Sequence, residues 1–360
     1  MKIGFLIYGS LDTLSGGYMY DRMLVEYLRT QGDTVEIISL PWRNYAAHLG
    51  DNFWFRLWNS KTRQQAVGLQ RFDILIQDEL NHPSLIAANS GKHPYPIISL
   101  VHHLRCSELR PQWQNDLYRV VEKKYLQGVD GFIFNSQTTK GVANSLIGNG
   151  KPSVVAYPPT DRFGEAMPEE EIKRRATDVP LKILFLGNII ERKGLLTLLE
   201  AIRPLTFDLR LDIVGSLTTD PNYAKQMQEF VTVNGLSSVV KFHGALNNEP
   251  LAEKLKQAHV LVVPSSYEGF GIVYLEGMAF GLPAVGTTAG AAGEIIEHGK
   301  TGYLIQPNDS APLATHISQL ASDRSLLAKL SLNARARYTQ QPAWIQTASD
   351  IRAFLQNMIG

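Results

Sequence analysis

Residues 264–283 read PSSYEGFGIVYLEGMAFGLP, directly after the apolar run VLVV at 260–263. The run has the length and β-branched character of a buried strand. Pro264 and two serines end it. Gly269 and Gly271 allow a tight turn, helical spacing runs from Ile272 to Phe280, and Gly281 with Pro283 closes the helix. Strand, glycine-rich turn and helix make one repeat of a parallel α/β sheet. Such a turn aims backbone N–H groups and the positive end of a helix at its ligand, which suits a diphosphate. Glu268 sits in the turn and Glu276 in the helix. A carboxylate in the first turns of that helix can accept hydrogen bonds from a vicinal diol such as a ribose.

The same alternation extends outward in both directions. Strand-like runs occur at 2–8, 34–40, 73–77, 96–102, 131–135 and 153–157. Several are apolar at consecutive positions, as in strands covered on both faces. Between them, Tyr20, Met23, Leu24, Tyr27 and Leu28 mark one helix, and Leu117, Val120, Val121 and Tyr125 another. Residues 164–180, GEAMPEEEIKRRATDVP, are polar and read as a linker or an exposed helix. The pattern then restarts: LKILFLG at 181–187 parallels KIGFLIY at 2–8, and further strands are expected at 209–214, 239–243, 260–263 and 284–287. Two doubly wound domains are therefore expected, over about 1–163 and 180–337. Residues 342–358 read as helix, with Trp344, Ile345, Ile351, Phe354 and Leu355 as anchors. In such sheets ligands bind beyond the carboxyl ends of the strands, at the topological switch point. Two sheets facing one another would enclose a cleft.

Composition narrows the classes. The 360 residues suit about two domains. With 35 Lys plus Arg against 34 Asp plus Glu, the net charge of +1 argues against a nucleic-acid partner held by phosphate neutralisation. Cys106 is the sole cysteine, so an intrachain disulfide and a Cys-based zinc site are excluded. A cytoplasmic location is expected. No apolar run approaches the ~20 residues of a membrane span. The stretch FWFRLWNSKTR at 53–63 reads either as a helix packed on the sheet or as a peripheral contact with a membrane or a lipid-linked acceptor.

The Glu268-x7-Glu276 block resembles the signature of retaining glycosyltransferases of the GT-B fold, and is most similar to family 4, the group 1 transferases. The resemblance covers most of the chain. It takes in Ser15-Gly16-Gly17, the strand-end His102, Lys193-Gly194 and EIIEHGKTGYLI at 294–305. It implies two Rossmann-like domains, the first for the acceptor and the second for a nucleotide-sugar, with the final helix packing back on the first. It also implies that Glu268 holds donor-sugar hydroxyls and that Glu276 binds the ribose. The N–H groups of Phe270, Gly271, Ile272 and Val273 would meet the sugar and diphosphate. Gly16 and Gly17 would lie near the donor phosphate, His102 against the sugar and reaction centre, and Gly215 at a strand end facing the nucleotide.

A leaving diphosphate gathers negative charge that fixed cations stabilise. Lys193 is one such cation. Many members carry Arg directly after the strand glycine; here that position is Asn188, which leaves Arg192 as the candidate second cation. No Asp-x-Asp triplet occurs, which fits a metal-independent mechanism with no cofactor. UDP is the commonest donor base in similar enzymes, and the acceptor is a hydroxyl of a sugar, glycan or lipid-linked molecule. A nucleotide-sugar epimerase or other GT-B enzyme is the alternative. A nicotinamide oxidoreductase is disfavoured because YGSLDTLSGG, after the first strand, lacks G-x-G-x-x-G.

Overall fold

The computed structural model describes residues 1–13, 15–57, 72–159 and 161–360, with only the backbone at 54–57. Of the 53–63 stretch, 58–63 lie outside the described residues, 53–57 end the helix Tyr45–Leu57, and Phe53 is exposed. The chain forms two units, Met1–Pro159 with Ala343–Gly360, and Thr160–Pro342. No described helix is long and apolar enough to cross a membrane.

The first unit is a parallel sheet of β1 (Lys2–Tyr8), β2 (Thr34–Leu40), β3 (Ile74–Asp78), β4 (Ile97–Val101), β5 (Gly131–Phe134) and β6 (Ser153–Val155), in the order β2-β1-β3-β4-β5-β6. Strands β3, β4 and β5 are buried at every position, as runs covered by helices on both faces must be. On one face Ile3, Phe5 and Ile7 pack with Leu24 and Leu28 of the helix Gly16–Thr30 and with Ile351 and Leu355 of the helix Trp344–Ile359. On the other, Leu75, Ile97 and Phe132 meet Tyr125, Leu126 and Ala143.

The second unit repeats the plan with β7 (Leu181–Leu186), β8 (Leu209–Val214), β9 (Val240–Gly244), β10 (Val260–Val262), β11 (Ala284–Thr287) and β12 (Gly302–Ile305), in the order β12-β11-β10-β7-β8-β9. All its pairings are parallel. The short edge strand β12 lies inside the EIIEHGKTGYLI stretch, where four residues after a Gly-Lys turn carry too little pattern to read as strand.

One expectation needs refinement. Of the two readings of 164–180, linker or exposed helix, a helix forms, and one side of it is buried. The helix Glu169–Ala176 carries three glutamates in its first turn and three cations in its last, which complements its dipole. Its Ile172 is buried against Gly281, and Arg175 donates to the Gly281 carbonyl at 3.1 Å. The segment therefore belongs to the second unit. The helix marked by Leu117, Val120, Val121 and Tyr125 spans Gln112–Gln127; its buried residues are Glu122, Tyr125 and Leu126, while Leu117 and Val120 are exposed.

The C-terminal helix should carry measurable stability for the first unit. Replacing the fully buried Leu355 by Ala should cost about 2–5 kcal/mol. Urea unfolding of the full chain should show it as an earlier transition; an unchanged midpoint would place Leu355 outside the core.

Candidate active site

Strand order reverses in the second sheet between β7 and β10, and the turns leaving these two strands meet there. After β7 the chain forms the short turn Glu191–Lys193 and then Gly194, in the left-handed region at φ 72°. A Cβ on Gly194 would lie 2.1 Å from the Pro264 carbonyl oxygen, so only glycine permits this approach. Three contacts tie the turns together. The Ser266 N–H donates to the Arg192 carbonyl at 2.8 Å, Arg192 Nη1 donates to the Tyr267 carbonyl at 2.7 Å, and Lys193 Nζ donates to Glu268 Oε1 at 2.5 Å.

Glu268 is the centre of this arrangement. Ser265 Oγ donates to its Oε1 at 2.6 Å, and Arg192 Nη1 lies 3.8 Å from its Oε2. Burial alone would raise its pKa. The charges of Lys193 and Arg192 and the two hydrogen bonds outweigh burial and hold the carboxyl at about 2. Lys193 is pulled down, because burial outweighs its attraction to Glu268 and Arg192 adds repulsion. The two directions differ, and the geometry favours the ionised pair, since both short bonds serve a carboxylate.

The helix Ile272–Ala279 starts four residues after Glu268, with Gly271 as its N-cap at φ 93°. Its first-turn N–H groups, including those of Ile272 and Val273, have no acceptor within the helix. Phe270 is buried beneath the turn. Glu276 is buried on the same helix, and its Oε1 accepts from Arg162 Nη1 at 2.7 Å. Burial raises Glu276 against the opposing charge and hydrogen bond of Arg162. Arg162 also donates to Asn248 Oδ1 at 2.8 and 3.1 Å. Asn188 follows the end of β7, where the Gly187 N–H donates to the Val214 carbonyl. Gly215 has a packing reason of its own: a Cβ there would lie 1.8 Å from the Gly187 oxygen.

The first sheet reverses between β1 and β3. Ser15 caps the helix Gly16–Thr30 by accepting from the Tyr18 N–H. The ring of His102, just past β4, lies against this first turn: a Cβ on Gly17 would be 3.3 Å from its Cδ2. Asp21, fully buried, meets His102 Nε2 at 3.0 Å through Oδ1. Its Oδ2 is buried with no hydrogen-bond partner among the described residues. Burial would lower the His102 pKa, but the Asp21 charge and hydrogen bond, helped by Asp78 and Glu79, lift it to about 9. Asp78 is itself raised, first by burial and then by Asp21. The first unit thus presents an imidazolium held by a carboxylate.

Asp21, Asp78 and His102 bring ligand-type atoms within 4.8 Å of one another, as do Glu79, His82 and Glu122. Both sets are already engaged within the protein. Asp78 accepts from the Leu80 N–H at 3.0 Å, Glu122 from the Arg105 and Cys106 N–H groups at 2.6 and 3.2 Å, and His82 Nε2 meets the Tyr45 hydroxyl at 2.9 Å.

Of the residues singled out from sequence, Lys193, Arg192, Glu268, Phe270, Gly271, Ile272 and Val273 come together at the second switch point. Asn188 and Gly215 lie beside one another at the ends of β7 and β8. Glu276 is further along the helix. Gly16, Gly17 and His102 share the first unit's switch point. Arg162, Ser265 and Asp21 were not among the expected residues, although each makes a direct bond to one of them.

The fold matches known proteins. Residues 167–337 match the family model described as Glycosyl transferases group 1. An uncharacterized glycosyltransferase of Methanocaldococcus jannaschii is 30% identical over 175 residues, 49% of this chain and 48% of that one. D-inositol 3-phosphate glycosyltransferase of Streptomyces avermitilis is 31% identical over 174 residues, 46% of this chain and 37% of that one. The aligned stretch thus spans less than half the length of these relatives. Among solved structures, sucrose-phosphate synthase from Thermosynechococcus elongatus superposes with a TM-score of 0.82 at 20% identity, covering 99% of this chain and 98% of that one. HepE from Anabaena, solved with UDP-glucose, gives 0.76 at 19%, covering 99% and 100%. The architecture is the GT-B fold, with two Rossmann-like parallel sheets.

The pair in the first unit can be tested by titration. The His102 imidazole should titrate near 9 in NMR spectra, and Asp21→Asn should bring it to its ordinary 6.5 or below, where burial dominates. Because the folded-state value is raised, the stabilisation is complete below 6.5 and lost as pH rises toward 9. Stability of the parent should therefore fall across that window, and the Asn variant should lose that slope. An imidazole that titrates at 6.5 in both proteins would overturn the pairing.

Proposed function

We propose that this protein transfers a glycosyl group from a nucleoside diphosphate sugar, with UDP favoured, to a hydroxyl acceptor, with retention at the anomeric carbon. The observation that carries this is the Lys193–Glu268 pair at the second switch point, beside the N-terminus of the helix Ile272–Ala279 and inside the stretch matching the group 1 family. A buried cation and free helix N–H groups suit a diphosphate whose charge grows as it leaves. The UDP-glucose bound to HepE and the name of the D-inositol 3-phosphate relative support a UDP-sugar donor and a hydroxyl acceptor.

In the proposed step the acceptor oxygen bonds to the anomeric carbon on the face from which the phosphate oxygen departs. The C–O bond to that phosphate breaks. The acceptor proton passes to the departing phosphate oxygen, so no protein nucleophile is needed. Lys193, with Arg192 beside it, stabilises the leaving diphosphate, in place of a metal ion. Glu268 accepts from donor-sugar hydroxyls, and Glu276 from the ribose, exchanging part of its bond to Arg162. His102, with Gly16 and Gly17, forms the polar cluster at the first unit's own switch point. A cytoplasmic location is part of the same proposal.

A thermal-shift panel of UDP, GDP, ADP, dTDP and NAD tests the donor, since a ligand of the folded state raises its stability by mass action. One nucleoside diphosphate should raise the melting temperature; a shift with NAD alone would overturn the proposal. Lys193→Ala should lower turnover by about 100-fold or more without unfolding the chain. Glu276→Gln should weaken nucleotide binding by roughly ten-fold, about one charge-assisted hydrogen bond. Unchanged turnover in the first variant would remove Lys193 from the chemistry, and unchanged affinity in the second would remove Glu276 from the nucleotide site.

A further inference from the structure

All three nitrogens of the Arg162 guanidinium are committed within the second unit. Nη1 donates to Glu276 Oε1 at 2.7 Å, while Nε and Nη2 both donate to Asn248 Oδ1, at 3.1 and 2.8 Å. Its central carbon lies 5.0 Å from the centre of the Phe163 ring. Phe163 in turn meets Phe280 edge to face at 5.5 Å, and Phe280 caps the helix that carries Glu276. The turn Asp161–Phe163 is thus fastened at two points to the helix Ile272–Ala279, and through Asn248 to the start of the helix Asn248–Gln257. The planar fork of arginine suits a hold with several directions; the single nitrogen of lysine does not.

The hold leaves half of the carboxylate uncommitted. Oε1 belongs to Arg162, and no hydrogen bond among the described residues reaches Oε2. A pair that served packing alone would engage both oxygens, since a buried carboxylate is stable only when paired and hydrogen-bonded. Glu276 also lies one turn after the helix N–H groups of Ile272 and Val273, which face the same switch point.

Arg162 also bears on the charge of Glu276. Burial raises the Glu276 pKa, and the charge and hydrogen bond of Arg162 oppose it. The other groups packed around this helix are turned elsewhere. On the helix Arg324–Thr339, Arg335 donates to the Met167 carbonyl at 2.8 Å, Arg337 to the Glu294 carbonyl at 3.1 Å and Tyr338 to the Gly164 carbonyl at 3.2 Å. Strands β10 and β11 bring no titratable side chain, and Asp161, beside Arg162, is exposed. Without Arg162, burial would neutralise Glu276 at a higher pH than in the parent. An ionised carboxylate accepts at both oxygens, whereas the neutral acid spends one oxygen on its own O–H. Both hydroxyls of a diol donate best to the ionised form.

We propose that Arg162 is a positioning residue for the nucleotide: it holds Glu276 through Oε1 and leaves Oε2 to the ribose, which shares the carboxylate with Arg162 and does not displace it. This rests on the reading of Glu276 as the ribose carboxylate.

The test uses the full chain and whichever of UDP, GDP and ADP raises its melting temperature most, since all three carry the ribose diol. Affinity is measured by calorimetry from about pH 5.5 to about pH 8.5, each variant against the parent at the same pH so that titration of the phosphate cancels. Arg162→Met should weaken binding by about ten-fold or more at the acidic end, the worth of a hydrogen bond to a charged group. It should recover part of that loss as pH rises, because binding needs the carboxylate and its pKa now lies higher. Arg162→Lys keeps the charge and should follow the parent's pH dependence. Glu276→Gln separates this proposal from the reading beneath it. If Glu276→Gln weakens binding while Arg162→Met changes neither affinity nor its pH dependence, the positioning role is overturned and the ribose reading stands. Tighter binding by Arg162→Met would also overturn it, because Arg162 would then compete with the ribose. If Glu276→Gln leaves affinity unchanged, or none of the three nucleotides binds, both fall. Should Arg162→Met fail to fold, Asn248→Ala decides: it frees one side of Arg162 and should weaken binding, and an unchanged affinity overturns the proposal.

Discussion

A carboxylate removed from water is costly by several kcal/mol unless it is paired and hydrogen-bonded, and Glu268 is such a carboxylate. Its side chain needs Lys193 and Ser265. Its backbone is equally committed: the Glu268 carbonyl accepts from the Ala291 N–H at 2.8 Å, and a Cβ on Gly290 would come within 2.1 Å of that oxygen. One residue thus ties together the loops that leave β7, β10 and β11. Lys193 can reach it because Gly194 lets its turn approach Pro264, and the helix Ile272–Ala279 can begin where it does because Gly271 adopts a positive φ. The glycines serve to bring a buried charge and its partner together.

The first unit places charge at the corresponding point of its own sheet, with the signs reversed. In the second unit a carboxylate is held by cations. In the first, an imidazole is held by Asp21, with Asp78 and Glu79 adding to the field. Two unlike polar clusters at equivalent places reflect the topology. At a switch point adjacent crossovers go to opposite faces of the sheet, which leaves a crevice where polar side chains can stay unfilled by core.

The strands that matter were legible because β3, β4, β5 and β10 are short, largely apolar runs bounded by turn residues, as suits strands buried on both faces. The Glu268–Glu276 block was legible because a strand, a glycine turn and a helix follow one another within twenty residues. Partners supplied from far along the chain were not. Arg162 reaches Glu276 across 114 positions and His102 meets Asp21 across 81, and no local spacing encodes either contact. The burial of one side of the helix within 164–180 was hidden for a related reason. Its charges satisfy the helix dipole, while its few apolar groups, Met167, Ile172 and Ala176, are enough to bury one side.

The helix Gln112–Gln127 shows a different limit. Periodicity identifies a stripe but does not say which side of it faces the core. Leu117, Val120 and Val121 form the more apolar row, and hydrophobicity alone would turn that row inward. The structure turns in the row of Glu122, Tyr125 and Leu126 instead. The reason is hydrogen bonding. The short turn Arg105–Ser107 leaves N–H groups that the Glu122 carboxylate satisfies, and Ser99, buried on β4, is met by the Tyr125 hydroxyl. An unsatisfied buried polar group costs about 1–3 kcal/mol, comparable to the burial of one leucine at about 1.5–3 kcal/mol. Several such groups on one side of a helix can therefore outweigh an apolar row on the other. The exposed row is the consequence of that balance, and it gives the first unit an outward surface that its own core does not fill.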